Sequence, residues 1–466
     1  MKVLIHIEEQ RRDMAVLLAL GQLFEQAGFR VIFSTRRTTP LFLGSLSFDA
    51  ALLATPENIP YNDYPKLSQR SRLYMLPTEG TIFEEKTLLL KYAGGEDPER
   101  WETYIRGIRR FFLWGDYSRR VLRNTGRFRE EQLTVVGAPR KDFLLVRNRN
   151  GTGNPDDHLP LGLITDFALA NSCYAKPIFR RMDDLRRLSP FCQSSTRNPE
   201  DRFWAEHAGM RLTLYLLEEC QRRNQRVVLR IHHRENTRTY DYLLKKHAAI
   251  LTLQGNEMPF EAWLDGVGVV AGFNSTTFFE TVAAGKPAIN LDGMLGPRLA
   301  EHIDQFMQNH YPIMDHIQTP SSWEELFGFL ERVRSGEWNS QTAYGSAARQ
   351  ILQDSCTFPR TASTLATIVQ RVGQDLERSS PTHQVPRRAQ EWSARLSAQA
   401  AEFMTFRLRR DPVGNCWFPL NVRRERRGHL SAIGRYLRAA QEFPAQASAL
   451  KNPEEPALDP MKTSTP

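Results

Sequence analysis

Three hydroxyl residues, Ser275, Thr276 and Thr277, follow Asn274 in AGFNSTTFFETVAAGKPAIN, residues 271–290, and Glu280 lies one turn further on. The apolar periodicity of Phe278, Phe279, Val282 and Ala283 predicts a helix that begins at these hydroxyls, directly after the strand VGVVAG. Backbone N–H groups at a helix entrance have no partner within the helix and attract anions, and hydroxyls beside them add donors for a phosphate. The same residues also suit an ordinary N-cap. Both roles stand open, since one hydroxyl can cap while its neighbours bind.

LRIHHREN, residues 229–236, leaves another strand, RVVLRI. His232 or His233 can donate to a phosphate or a base carbonyl, with Arg230 and Arg234 adding positive charge, or the pair is an ordinary polar loop. In LPTEGT, residues 76–81, Gly80 permits a sharp turn and Glu79 is a candidate proton acceptor, the alternative being an exposed turn carboxylate. HIEEQRRD, residues 6–13, offers His6, Glu8 and Arg12 as contacts for an acceptor, although Glu8, Glu9 and Asp13 also read as acids of a first helical turn. Gly137 and Pro139 in VVGAPRKDF read as hinge architecture, and Asp166 in LGLITDF is a further carboxylate at a strand end.

These residues need a scaffold that gathers strand ends. KVLIHI, RVIFS, FDAALLA, SRLYML and QLTVVG read as strands of a first half, and Met14, Leu17, Leu18, Gly21, Phe24 and Ala27 mark a helix closed by Gly28. PERWETYIRGIRRFFLWGDYSRRVLRN reads as one helix. After NRNGTGNPDDHLP, residues 148–160, the strands LGLITDF, RVVLRIH, AILTLQ, GVGVVAG and PAINL alternate with helices again. The expectation is α/β: two Rossmann-like doubly wound domains facing a cleft, where strand carboxyl ends bind ligands. The domains are drawn as residues 1–150 and 151–375, followed by a basic helical extension over 376–445 and a disordered tail over 446–466.

Composition narrows the partners. A 41% hydrophobic and 25% charged chain without a long apolar run predicts a soluble, cytoplasmic protein rather than a membrane-spanning one. Five scattered cysteines, with no CxxC pair, encode neither a disulfide framework nor a zinc site. A formal charge of +9 favours anionic partners. The absence of GxxxxGK[ST], GxGxxG after the first strand, GxSxG, HExxH and DxD motifs weakens NTPase, dehydrogenase, hydrolase and metal-dependent readings.

The ordered set HIEEQRRDMAVLLALGQLFEQAGFRV, LPTEG, FLWG, VVGAPRKDF, LGLITDFALAN, IHHRE and NSTTFFETVAAGKPAIN, over residues 1–330, resembles bacterial surface-carbohydrate biosynthesis proteins. These are GT-B glycosyltransferase-like proteins of capsule and lipopolysaccharide assembly, related to sialyl-, polysialyl- and Kdo-transferases. The resemblance implies inverting, metal-independent transfer of a sugar from a nucleotide donor, a CMP-sugar being favoured, to a glycan or lipid-linked acceptor. Glu79 with Gly80 then matches the general-base motif, His232 the donor-site histidine, and Ser275 with Thr276 the hydroxyl pair. His233 stands where the family carries proline. No cofactor, no resident metal and no specific nucleic acid are expected. Transfer of a polyol phosphate from a CDP-glycerol type donor is the alternative within enzymes, and a non-catalytic nucleotide-sugar binding protein the alternative outside them. Arg407, Arg409, Arg410, Arg423, Arg424, Arg426 and Arg427, with Trp417 and Phe418, suit peripheral contact with the inner face of an anionic membrane, or a solvated helix.

Overall fold

In the computed structural model, the described residues are 1–8, 10–35, 38–56, 59, 63–77, 85–93, 98–142, 160–168, 170–171, 199–232, 235–254, 260–273, 275–295, 312–356, 363–377 and 433–438. The first half runs β1 (Lys2–Ile7), α1 (Gln10–Gln26), β2 (Arg30–Thr35), α2 (Thr38–Ser45), β3 (Ala50–Leu53), α3 (Tyr64–Arg70), β4 (Arg72–Met75), α4 (Glu85–Tyr92), α5 (Pro98–Gly107), β5 (Ile108–Leu113), α6 (Asp116–Asn124) and β6 (Leu133–Val135). Its strands pair in parallel in the order β2-β1-β3-β4-β5-β6. Alternate residues feed opposite cores. Leu4, Ala51, Leu53, Leu73, Met75, Phe111 and Leu113 pack on one face, and Val3, Ile5, Ala50, Leu52, Tyr74 and Phe112 on the other. Burial on both faces explains why these strands are near-continuous apolar runs.

α1 lays Met14, Leu17, Leu18 and Phe24 on the second of these cores. At Gly21 a Cβ would collide with the Phe33 ring, and Gly28 ends the turn after the helix at φ +86°. The single helix expected over 98–124 is instead α5, β5 and α6. Two arginines inside IRRFFL hide a buried strand whose pattern is carried by Ile108 and Phe111–Leu113. Arg110 can lie there because Nε and Nη2 donate to the two carboxylate oxygens of Asp375 at 2.9 and 2.7 Å.

The second half runs β7 (Leu161–Ile164), α7 (Pro199–Arg222), β8 (Val227–Arg230), α8 (Asp241–Lys246), β9 (Leu251–Gln254), α9 (Phe260–Asp265), β10 (Val269–Gly272), α10 (Thr277–Ala283), β11 (Ala288–Asn290), α11 (Trp323–Arg334), α12 (Ser340–Cys356) and α13 (Thr364–Glu377). The parallel sheet has the order β11-β10-β7-β8-β9. The chain builds outward from β7 on one side and resumes at β10 on the other. The crevice at this reversal is where open α/β sheets bind ligands.

α13 packs on α1, placing Leu365, Ile368, Val372 and Leu376 in the first domain's core. The helical residues 433–438 add Ile433 and Tyr436 to the same core. Of the expected linker 148–160 only Pro160 is described, and most of the 376–445 extension and all of the 446–466 tail lie outside the described residues. Asp142 fastens the start of α13, accepting from Ser363 Oγ at 2.5 Å and from the Thr364 and Leu365 amides at 3.1 Å each.

The two halves meet around Lys141, which is 2% exposed. Its ammonium lies 5.5 Å from the Trp114 ring centroid, 5.2 Å from that of Phe279, 3.8 Å from Glu280 Oε1 and 3.4 Å from Cys356 Sγ. Trp114 follows β5, whereas Phe279 and Glu280 belong to α10. Lys141 therefore joins the carboxyl end of the first sheet to the helix that leaves the carboxyl end of β10.

Candidate functional site

The second sheet delivers three sets of polar residues to the exits of adjacent strands. β10 leads to Ser275 and Thr276, β7 to Thr165 and Asp166, and β8 to His232. The reversal of strand order separates β10 from β7, so Ser275 and Asp166 flank it. Close backbone approach is built in here: a Cβ at Gly272 would lie 3.2 Å from the Ile164 carbonyl oxygen. Phe167 and Phe273, from the two exits, meet at 5.5 Å between ring centroids.

The hydroxyls divide their roles. Ser275 Oγ accepts from the Thr277 amide at 3.2 Å, the local capping bond that the sequence left open. Thr276 occupies the N-cap position but makes no side-chain capping bond. Asn274 lies outside the described residues. His232 Nδ1 is 3.7 Å from Asp166 Oδ1, and both side chains are partly exposed, at 28% and 38%. At that separation the two are neighbours without a direct hydrogen bond between these atoms. Arg230 packs its guanidinium 5.5 Å from the Phe260 ring centroid and 5.9 Å from that of Trp263. Arg234 and His233 are not among the described residues.

Beneath these exits lies Glu235, a residue to which sequence reasoning assigned no role. Burial pushes its carboxyl up to about 7, opposed by hydrogen bonds from Tyr240, Thr165 and Phe167, while the charge of Asp166 adds to the upward shift. Its only sequence signal was its place in the same strand-exit loop as His232.

On the first sheet the chain reverses between β1 and β3, and Glu8 stands exposed just beyond β1. His6 is enclosed: its Nδ1 lies 2.7 Å from Thr39 Oγ1, which also contacts Ser34 Oγ at 2.7 Å and donates to the Thr35 carbonyl at 2.9 Å. This ties β1 and β2 to α2, and it leaves His6 2% exposed. Arg12 belongs to α1, with its side chain outside the described set, and Glu79 and Gly80 are likewise not described. Trp114 Nε1 donates to the carbonyl of Pro77, the last described residue before Glu79, at 2.9 Å. Trp114 thus touches both Pro77 and Lys141.

Among the described residues, no group of three or more His, Cys, Asp or Glu side chains is placed to hold a metal ion. Nor is any described helix long and apolar enough to cross a membrane. A cavity of about 490 Å³ between α7 and the start of α11, lined by Tyr215, Glu219, Met294 and Trp323 among others, contains none of the residues singled out above.

No protein-family model and no curated protein matches the chain. Among solved structures, a variant of the wall teichoic acid polymerase TagF is similar with a TM-score of 0.51 at 10% identity, covering 80% of this chain and 89% of that one. An S. aureus MnaA–UDP co-structure gives a TM-score of 0.44 at 11% identity, covering 82% and 99% of the two chains. The Neisseria meningitidis UDP-GlcNAc 2-epimerase bound to UDP-GlcNAc gives 0.44 at 11% identity, with 80% and 100% coverage. The likeness to the polymerase is one of fold, and with the two helix-flanked parallel sheets it establishes an α/β architecture of GT-B type.

Proposed function

We propose that the protein is an inverting, metal-independent transferase that moves a sugar from a nucleotide donor to a surface-glycan or lipid-linked acceptor, working at the cytoplasmic face of the membrane. The observation that carries this reading is the placement of Ser275, Thr276 and Asp166 at the strand exits on either side of the reversal of a doubly wound sheet, with His232 Nδ1 3.7 Å from Asp166 Oδ1. In this scheme an acceptor hydroxyl gives its proton to Glu79 and its oxygen attacks the anomeric carbon. The bond from that carbon to the donor phosphate breaks, its electron pair leaves with the nucleotide, and a single displacement inverts the centre. Thr276 and His232 meet the negative charge that develops on the leaving phosphate. This scheme assigns Glu8 and Gly80 to the acceptor and Asn274, Arg230 and Arg234 to the donor. A CMP-linked nonulosonic acid or Kdo-type sugar is the donor favoured.

Calorimetric titration with CMP, UDP, GDP, CDP and TDP tests the donor site. Thr276→Ala is the informative variant, because it removes a hydroxyl that makes no capping bond. Selective binding of one nucleotide, weakened by Thr276→Ala and further by Ser275→Ala/Thr276→Ala, supports the proposal. A wild-type protein that binds none of the five, or a double variant that binds as tightly, removes its basis. Polyol-phosphate transfer remains the second reading, since the fold is shared with a wall teichoic acid polymerase. Phosphorus NMR of acceptor and product separates the two: glycosyl transfer adds no phosphodiester to the acceptor, whereas polyol-phosphate transfer creates one.

A further inference from the structure

One buried side chain cross-links the exits of β7 and β8. Glu235 is 1% exposed, and its carboxylate accepts from Thr165 Oγ1 at 2.7 Å, the Phe167 amide at 3.1 Å, Asn171 Nδ2 at 3.4 Å and the Tyr240 hydroxyl. Three of these donors come from the chain after β7, and the fourth from Glu235's own segment after β8. Only an ionised carboxylate presents acceptors to all four.

Thr165 connects this network to the site. The same Oγ1 that lies 2.7 Å from Glu235 accepts the His232 amide at 3.1 Å. A hydroxyl has one proton, so directing it toward Glu235 leaves a lone pair facing the His232 N–H. The alternative acceptor for that proton, the Arg230 carbonyl, is more distant at 3.4 Å. Backbone bonds reinforce the arrangement, Thr165 N donating to the Arg230 carbonyl at 3.1 Å and Asn236 N to the Asn171 carbonyl at 2.9 Å.

We propose that Glu235 is a positioning residue of the nucleotide site: its carboxylate orients the Thr165 hydroxyl, and through it fixes the backbone of His232 and holds the imidazole beside Asp166. This rests on the donor-site reading above. Glu235 touches no substrate in this scheme, and its effect reaches the phosphate through the place it gives His232.

The test combines two readouts on the full chain. Histidine NMR with ¹⁵N-labelled imidazoles identifies His232 by its loss in His232→Gln, and calorimetry measures the nucleotide that wild type selects from CMP, UDP, GDP, CDP and TDP. Glu235→Ala is expected to shift the His232 signals without nucleotide and to weaken binding about tenfold or more. Glu235→Gln keeps an acceptor for Phe167 and Thr165 and is expected to restore part of that loss. Thr165→Val should reproduce the Glu235→Ala effects while Thr165→Ser, which keeps the hydroxyl, retains most of the binding. A folded Glu235→Ala protein with unmoved His232 signals and unchanged affinity overturns the proposal. Should Glu235→Ala fail to fold, unchanged signals and affinity in Thr165→Val overturn it instead. If wild type binds no nucleotide, the donor-site reading fails, and the His232 signals alone decide: a shift upholds the positioning role and no shift overturns it.

Discussion

Lys141→Met removes the cation between the two domains while nearly conserving side-chain volume. The Lys141 and Glu280 side chains are 1% and 11% exposed with 3.8 Å between Nζ and Oε1. Two unit charges at that distance attract by about 4 kcal/mol at an effective dielectric near 20. Desolvation of both ions offsets much of this, so the net value of the intact pair is small. Removal of one member is a different matter, because Glu280 stays buried and its Oε2 has no hydrogen-bond partner among the described residues. Lys141→Met should therefore destabilise the protein by about 3–5 kcal/mol. Adding Glu280→Gln removes the stranded charge, so the double variant should recover about 2 kcal/mol relative to the single one. Urea unfolding followed by tryptophan fluorescence measures all four corners of the cycle, with Trp114 at the pair itself. A Lys141→Met protein within about 0.5 kcal/mol of wild type, or a double variant no more stable than the single one, would refute the reasoning.

Two further perturbations act on the same junction. Burial lifts the Asp142 carboxyl from 3.8 to about 6, against the hydrogen bonds from Ser363, Thr364 and Leu365. Because the fold holds this proton more tightly than the unfolded chain does, the group's contribution is full below about pH 4 and is lost as pH rises through about 6, a change of about 3 kcal/mol. Urea midpoints across that window should show Asp142→Asn gaining on wild type as pH rises, and parallel curves would contradict the assignment. Gly115→Ala should cost about 2 kcal/mol or more by overpacking. Its Cβ would lie 2.6 Å from the Ser355 carbonyl carbon and collide with the Asp354 carbonyl oxygen. Gly44→Ala, with nothing within 4 Å of its Cβ, is the thermal-unfolding control, and equal melting of the two variants would refute the packing argument.

Much of the scaffold was legible in the sequence because parallel strands buried on both faces are apolar runs, and helices between them keep a stripe at helical spacing. β1, β2, β7, β8 and β10 follow from this local rule, as does the turn at Gly28. β5 did not, since Arg110 is neutralised by Asp375, 265 positions away in the chain. Periodicity has no access to a partner that distant.

The site divides in the same way. That Ser275, Thr276, His232 and Asp166 stand at strand exits is a property of their neighbours in sequence, and the sequence alone determined it. Which exits adjoin was decided by strand order, which places β10 beside β7 across the reversal. Tertiary structure alone also enclosed His6, set Glu235 beneath the exits and drove Lys141 between Trp114 and Glu280. A buried polar side chain must find its partners wherever the fold brings them, so its role is written in contacts between distant segments and not in the residues on either side of it.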